Sequence, residues 1–212
     1  MMKKIICFAL VIICLSAFVS CGAKAPNLAE LKPEFVALVE ASYEVNEMFF
    51  GEGLPTYERG GDYDKEYKLY NNDDNEYAYY EYVKQDTGYY FTEQIKWKAE
   101  EVYTAEYLSG IYTMAFDGYA DENTGKVTTA RYLDSSGWLM RYAFGENDPF
   151  DKLAGKKRRF DFDSMAVVKP YSSGYVNVSI DSYLDGAEDE RLNITLHFKK
   201  TSEGWRLDAP TY

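Results

Sequence analysis

The sequence predicts an α+β fold in which N-terminal helices pack on a strongly curved antiparallel sheet. Two observations favour this class. Apolar residues recur at helical spacing over residues 33–51 and again over residues 92–118. From residue 127 onward, apolar and polar residues alternate instead, and short links rich in Gly, Ser and Asp separate the alternating runs. Helices followed by a series of strands are typical of α+β proteins.

The helical stretches carry signals for their ends. Pro33 is favoured in a first turn and Gly51 is favoured after a last turn, so the first helix is predicted between them. The second stretch begins at Thr92 and ends at Gly118. Thr104 is predicted to cap a new helix within it, because a threonine side chain accepts hydrogen bonds from the free amides of a first turn.

Residues 54–75 are predicted to form a loop, because Gly, Asp, Asn and Tyr dominate there without apolar periodicity. The acidic run over residues 71–75 lacks the alternating acids, central glycine and final glutamate of a calcium loop, so no metal is expected there. A strand is predicted over residues 77–83, and Gly88 ends it.

Six further strands are predicted from the alternating pattern. They cover residues 127–133, 138–144, 160–169, 175–184, 190–200 and 205–208. The links between them are short, which favours antiparallel neighbours. We therefore expect one meandering sheet.

Residues 1–20 have the pattern of an export signal. Lys3 and Lys4 precede an apolar run that is too short to cross a bilayer comfortably. The following Val19-Ser20-Cys21 resembles the cleavage box of bacterial lipoproteins, which implies a diacylglyceryl group on Cys21 and attachment to the extracytoplasmic side of the cell membrane. The alternative is a plain signal peptide that happens to end in a cysteine. The predicted organisation is a signal (1–20), a lipidated tether (21–32) and a single domain (33–212).

Composition excludes several functions. The net charge of −12 disfavours nucleic acid as a partner. Cys7 and Cys14 lie in the signal and Cys21 is the lipid site, so thiol catalysis and cysteine metal sites are excluded, and no cofactor is expected. The 21 tyrosines suit half-buried strands as well as a binding surface.

The order of elements over residues 33–212, with a closing strand of the form Gly204-Trp205-Arg206-Leu207-Asp208, resembles the cone-shaped folds of the nuclear transport factor 2 (NTF2-like) and cystatin-like type. A second resemblance is to secreted inhibitors of cell-wall DL-endopeptidases. It lies in residues 77–83, the helix after Thr92, Arg131-Tyr132 and Trp138-Leu139.

No catalytic residue is predicted. His197 is the only histidine, and its strand pattern places it on the polar face, without a Gly-x-Ser-x-Gly elbow in the chain to supply a nucleophile. Some cone-fold enzymes use a buried acid for proton transfer, which keeps an isomerase or dehydratase as an alternative. The acids considered for that role are Asp117, Asp161, Asp163 and Asp181.

One face of the predicted sheet is the candidate surface for a partner or a glycan. If the strands over 175–184 and 190–200 pair as a hairpin, their polar residues share a face. The candidate residues are Tyr175, Asn177, Asp181, Tyr183, Asn193 and His197. An ordinary solvated face is the alternative. The basic run over residues 156–159 fits either a solubilising loop or contact with anionic head groups or wall polymers.

These observations together predict a membrane-anchored lipoprotein of the cell envelope that acts as a non-catalytic binding or accessory module. The alternatives are an inhibitor of a peptidoglycan endopeptidase, acting through residues 54–75, and a small cone-fold enzyme.

Overall fold

The computed structural model describes residues 24–57, 67–71, 76–120, 127–128, 130–143 and 157–212. Cys21 and the signal lie outside these residues. Within the described part, the chain forms three α-helices and two four-stranded antiparallel sheets, which confirms the α+β class. The helices are α1 (Leu28–Phe50), α2 (Thr92–Glu100) and α3 (Ala105–Tyr112).

Helix α1 begins earlier than the sequence pattern predicts. The side chain of Asn27 accepts a hydrogen bond from the Ala29 amide at 3.2 Å and caps the first turn, so the helix begins at Leu28 and Pro33 lies inside it. The predicted helix start at Pro33 is therefore wrong, and residues 28–32 of the predicted tether are helical. The chain enters the domain a few residues after Cys21.

The predicted cap at Thr104 is confirmed. Its hydroxyl accepts a hydrogen bond from the Tyr107 amide at 3.2 Å, where α3 begins. One wide helical turn over Thr113–Asp117 follows α3, and Gly118 ends the stretch with a φ of 77°.

The strands are divided between two sheets, so the prediction of a single meander is wrong. The first sheet has the order β1 (Tyr67–Asn71), β2 (Glu76–Tyr82), β6 (Trp138–Tyr142) and β5 (Tyr132–Ser135). The second has the order β10 (Gly204–Leu207), β9 (Ala187–Thr201), β8 (Tyr175–Leu184) and β7 (Arg158–Val168). A two-residue ladder joins β3 (Tyr119–Ala120) to β4 (Val127–Thr128). Strand β1 corrects the prediction of a loop over residues 67–71, whereas residues 58–66 and 72–75 lie outside the described part.

The sheets are neither strongly curled nor closed. Strands β8 and β9 form the longest hairpin, with Asp185 and Gly186 at its turn and Gly186 at a φ of 79°. Strand β7 pairs with β8 through a bulge between Asp161 and Ala166.

Helix α1 lies against the second sheet and fills the core. The Phe35 ring stacks on that of Phe198 with centroids 3.8 Å apart and meets Trp205 edge to face at 5.4 Å. All three side chains are buried. Burying an aromatic side chain of this size contributes about 2–3 kcal/mol, so these contacts fix the helix on the sheet.

The last turn of α1 contacts the first sheet. Arg131 is buried and donates from Nε to the Met48 carbonyl at 2.9 Å and from Nη2 to the Gly51 carbonyl. The Tyr132 hydroxyl also donates to the Met48 carbonyl, at 2.9 Å. The last turn carries no basic residue of its own, so Arg131 supplies the positive charge that a helix C-terminus favours. Helix α1 thus connects the two sheets.

Candidate functional site

The structure brings the predicted residues of the sheet face together. Strands β8 and β9 are antiparallel neighbours, with Asn177 opposite His197 and Asp181 opposite Asn193. We call this surface the sheet face. Its residues are Tyr175, Asn177, Asp181, Tyr183, Asn193 and His197. The hairpin pairing on which the prediction depended is therefore present.

Most polar groups of the sheet face hydrogen-bond within it. The His197 Nδ1 lies 2.8 Å from the Asn177 Oδ1, and the Asn177 amide donates to the Pro170 carbonyl at 2.8 Å. Because the Asn177 oxygen accepts, Nδ1 of His197 carries the proton in this arrangement. Asn177 is only 7% exposed, so it positions His197 and the loop at Pro170 rather than facing solvent.

The other end of the sheet face is also paired. Asn193 donates to the Asp181 carboxylate at 2.8 Å. The guanidinium of Arg191 lies 5.5 Å from the centre of the Tyr183 ring and 3.0 Å from the Asp161 carboxylate. Tyr175, in contrast, is 39% exposed at the start of β8. The sheet face is thus a polar surface whose groups mostly satisfy one another.

A cleft that the sequence did not predict lies at the far end of α1. Its volume is about 160 Å³, enough for several water molecules. Three parts of the chain form it: the end of α1, the start of β7 and the segment after β10. The lining residues are Tyr43, Asn46, Glu47, Phe50, Gly51, Glu52, Lys157, Arg158, Thr211 and Tyr212.

A network of hydroxyl and amide groups lies behind the cleft. The Thr211 hydroxyl lies 2.7 Å from the Ser42 hydroxyl and 2.7 Å from the Tyr103 hydroxyl, and it accepts from the Asn46 amide at 2.8 Å. Tyr103 also donates to the Asn46 oxygen at 2.8 Å. Thr211 is 1% exposed, so this network joins the segment after β10 to α1 in a dry environment. Burial raises the pKa of Tyr103 to about 12, although its hydrogen bonds act in the opposite direction.

Charged groups lie on the side of the cleft toward β7. The Lys157 ammonium is 3.0 Å from the Glu47 carboxylate, which also accepts from the Glu52 amide at 3.0 Å. Burial alone would raise the pKa of Glu47, but the hydrogen bonds from Lys157 and from the Glu52 amide outweigh it and lower that pKa. Arg158 donates from Nη1 to the Ser182 hydroxyl at 2.9 Å and also lines the cleft.

Aromatic rings line the rest of the cleft. Phe50 is buried, and the Tyr212 ring packs against it with centroids 4.2 Å apart while Tyr212 remains 37% exposed. Tyr43 is half-buried beneath the Arg159 guanidinium, which lies 5.6 Å from its ring centre. The cleft therefore combines aromatic surface with hydrogen-bond donors and acceptors, a mixture typical of small-molecule sites.

The acids considered for catalysis are dispersed. Asp161 is in an ion pair with Arg191, Asp163 is exposed and bonded to Lys32 at 3.3 Å, and Asp117 lies in the wide turn after α3. None of these acids lines the cleft, and neither does Asp181. Within the described residues, no three His, Cys, Asp or Glu side chains are placed to hold a metal ion.

Sequence reasoning missed the cleft because its walls are far apart in the chain. The one signal was the basic run over residues 156–159, from which Lys157 and Arg158 reach the cleft, while Lys156 lies outside the described residues. The packing of Thr211 and Tyr212 against α1 corresponds to no local pattern in the sequence.

No family model, curated protein or solved structure matches this chain. Among the described residues, no helix combines the length and apolar character needed to cross a bilayer.

Proposed function

We propose that this chain is an extracytoplasmic lipoprotein, anchored through Cys21, that acts as a non-catalytic binding module of the cell envelope and binds its ligand in the cleft. The observation that carries the proposal is the cleft itself, where aromatic rings and charged side chains line one open space. The export signal and Val19-Ser20-Cys21 support the anchor. A diacyl anchor provides two chains, enough for stable attachment.

The cleft chemistry suits a sugar unit that carries an acidic group. Aromatic side chains such as Tyr212 offer flat apolar area to the C–H face of a sugar ring, while Asn46 and Glu47 offer partners for amide and hydroxyl groups. The cationic side chains of Lys157 and Arg158 suit a carboxylate. N-acetylated acidic sugars of cell-wall glycan have all of these groups, so we propose this ligand class.

The non-catalytic part of the proposal is supported by Glu47, one of the two carboxylates that line the cleft. An acid that donates protons near neutral pH needs a raised pKa, whereas the contacts of Glu47 lower its pKa. Glu47 is therefore suited to accept hydrogen bonds as a carboxylate.

The endopeptidase-inhibitor alternative rests on residues 54–75. In the described part of that segment, β1 is the edge strand of the first sheet. An edge strand has unpaired backbone groups that can pair with another chain, which is the observation that favours this alternative.

The cone-like, NTF2- or cystatin-type architecture remains a proposal as well. The packing of α1 along β10 and β7 supports it, since an N-terminal helix covers one face of an antiparallel sheet in such folds.

Calorimetric titration with the N-acetylglucosamine–N-acetylmuramic acid disaccharide tests the ligand proposal. We expect binding by the soluble Cys21→Ser chain, weakened tenfold or more by Tyr212→Ala and severalfold by Lys157→Glu. The Lys157 side chain is 56% exposed, so its replacement leaves the fold intact. Tyr175→Ala is the matched control, because Tyr175 and Tyr212 are similarly exposed, at 39% and 37%. No binding, or equal loss with Tyr175→Ala, contradicts the assignment.

A further inference from the structure

We infer that the end of the domain where α1 begins is a membrane-facing surface that contacts anionic phospholipid head groups. The inference rests on the proposed anchor at Cys21 and adds the orientation of the domain on the membrane.

The chain enters the domain at this end. Lys24 and Pro26 line a shallow depression together with Trp205 and the β7–β8 loop. The loop residues in this depression are Ser172 and Ser173, and Val176 of β8 completes it. The first described residues therefore lie against the second sheet.

The distance to the anchor is short. Lys24 is three positions after Cys21, and an extended chain spans at most about 3.5 Å per position, or roughly 10 Å in all. Any side chain near Lys24 is thus held within about one Debye length of the head groups.

Several strands of the second sheet begin or end near the start of α1. Strand β7 ends here and β8 begins, and β9 ends here and β10 begins. The loop over residues 169–174 and the turn at residues 202–203 consequently lie beside the start of α1. The Lys200 amide donates to the Gly174 carbonyl at 2.8 Å, which ties the turn to the loop.

Three lysines at this end have no ion-pair partner among the described residues: Lys24, Lys169 and Lys200. All three are exposed. Lys200 lies over the Trp205 ring, with its ammonium 5.9 Å from the ring centre. Exposed Tyr175 adds an amphipathic side chain of the kind found at membrane interfaces.

Of the four acids at this end, Asp163 and Glu203 are in ion pairs, whereas Glu30 and Glu34 are hydrogen-bonded to uncharged groups and keep their charge. Glu34 accepts from the Trp205 amide at 3.2 Å, Glu203 lies 3.6 Å from Arg206, and Glu30 accepts from Asn27 at 2.6 Å. Asp163 is bonded to Lys32.

At the opposite end of the sheet, Arg159 pairs with Asp185, Lys157 pairs with Glu47, and Arg158 is bonded to the uncharged Ser182. The exposed acids Glu188, Asp189 and Glu190 in and after the β8–β9 turn have no ion-pair partner among the described residues. Among the charges outside ion pairs in the described residues, lysines therefore outnumber acids three to two toward the anchor, whereas the three acids outnumber Arg158 near the β8–β9 turn.

This orientation also determines how far the cleft lies from the membrane. Helix α1 has 23 residues and rises about 1.5 Å per residue, so its end is about 35 Å from its start. The cleft, which lies at that end, is held away from the membrane and toward the cell wall.

Coupling chemistry makes the test independent of cellular lipidation. In a chain that begins at Cys21, that cysteine is the only thiol, so a maleimide lipid attaches the protein to vesicles at this position. Labelling of lysines by a membrane-impermeant acylating reagent is then compared on phosphatidylglycerol and phosphatidylcholine vesicles, with mass spectrometry to identify each site.

We expect labelling of Lys24, Lys169 and Lys200 to be at least threefold slower on the anionic vesicles, and the protection to be lost in 0.5 M salt. Lys84, whose amide donates to the Pro55 carbonyl beyond the far end of α1, is the internal control and should label equally on both. Equal labelling of the three lysines on both vesicles overturns the inference.

A matched pair of variants checks the result. Lys169→Glu with Lys200→Glu should abolish protection of Lys24, whereas Lys84→Glu should leave it unchanged. Loss of protection in both variants contradicts the assignment of the surface.

The anchor is tested separately by fractionating cells that express Cys21→Ser. Release of that variant supports the anchor, and continued membrane retention after processing overturns the anchor without changing the vesicle result.

Discussion

The sheet face and the cleft contain similar side chains in different arrangements. On the sheet face, polar groups lie on a pair of neighbouring strands and bond across it, as His197 does with Asn177. In the cleft, Glu47 and Lys157 bond to each other but also border an open space backed by aromatic rings. A polar strand pattern therefore identifies a surface, whereas a binding site also needs concavity, which arises where distant segments pack together.

The largest effect is expected from the network behind the cleft. Thr211→Val keeps the shape of the side chain but removes a hydroxyl that meets Ser42, Asn46 and Tyr103. Because these buried groups lose a partner, we expect the free energy of unfolding to fall by about 3 kcal/mol. Urea denaturation followed by circular dichroism measures it.

Thr211→Ser is the control for that change, since it retains the hydroxyl and should lose less than half as much stability. If Thr211→Val costs no more than an exposed substitution on the sheet face, the network is not what holds the segment after β10 on α1.

A second prediction is that a buried tyrosine behind the cleft makes the stability of the fold depend on pH, whereas an exposed tyrosine of the sheet face does not. The pKa of Tyr103 is raised to about 12, so its neutral form stabilises the fold fully below pH 10, and this contribution is lost as the pH rises through 12. Relative to Tyr103→Phe, the wild type should lose about 2 kcal/mol between pH 9 and pH 11.5. Urea midpoints at several pH values measure the difference.

The control replaces an exposed tyrosine of the sheet face, Tyr175→Phe. It should follow the wild type across the same pH range. If Tyr103→Phe also runs parallel to the wild type, the Tyr103 phenol is not buried in the folded state as the structure describes.

The local features of the fold were predictable because adjacent residues encode them. The alternating pattern of β8 and β9 gave the sheet face, and Thr104 gave the start of α3 through its cap. The sequence pattern predicts too late a start for α1, because Pro33 is a typical first-turn residue whereas the side chain that caps the helix is that of Asn27. Both residues are typical of helix starts, so the sequence alone does not decide between them.

The division into two sheets and the cleft were not predictable, because both depend on contacts between distant residues. Arg131 decides where the last turn of α1 docks by donating to the Met48 carbonyl, across more than 80 positions of the chain. Thr211 meets Ser42 across an even longer separation. Neither residue belongs to a motif, so sequence periodicity gives no reason to pair them.

The smallest change in the free energy of unfolding is expected for two asparagines of the sheet face. Asn177 is 7% exposed and bonds both Pro170 and His197, whereas Asn193 is exposed and bonds only Asp181. We expect Asn177→Ala to reduce the free energy of unfolding by about 1.5 kcal/mol and Asn193→Ala by about 0.3 kcal/mol, because water replaces the partner of an exposed group. Urea denaturation of both variants measures these values. Neither change should alter disaccharide binding, since neither residue reaches the cleft. Loss of binding in Asn193→Ala would move the binding site from the cleft to the sheet face and reverse the comparison.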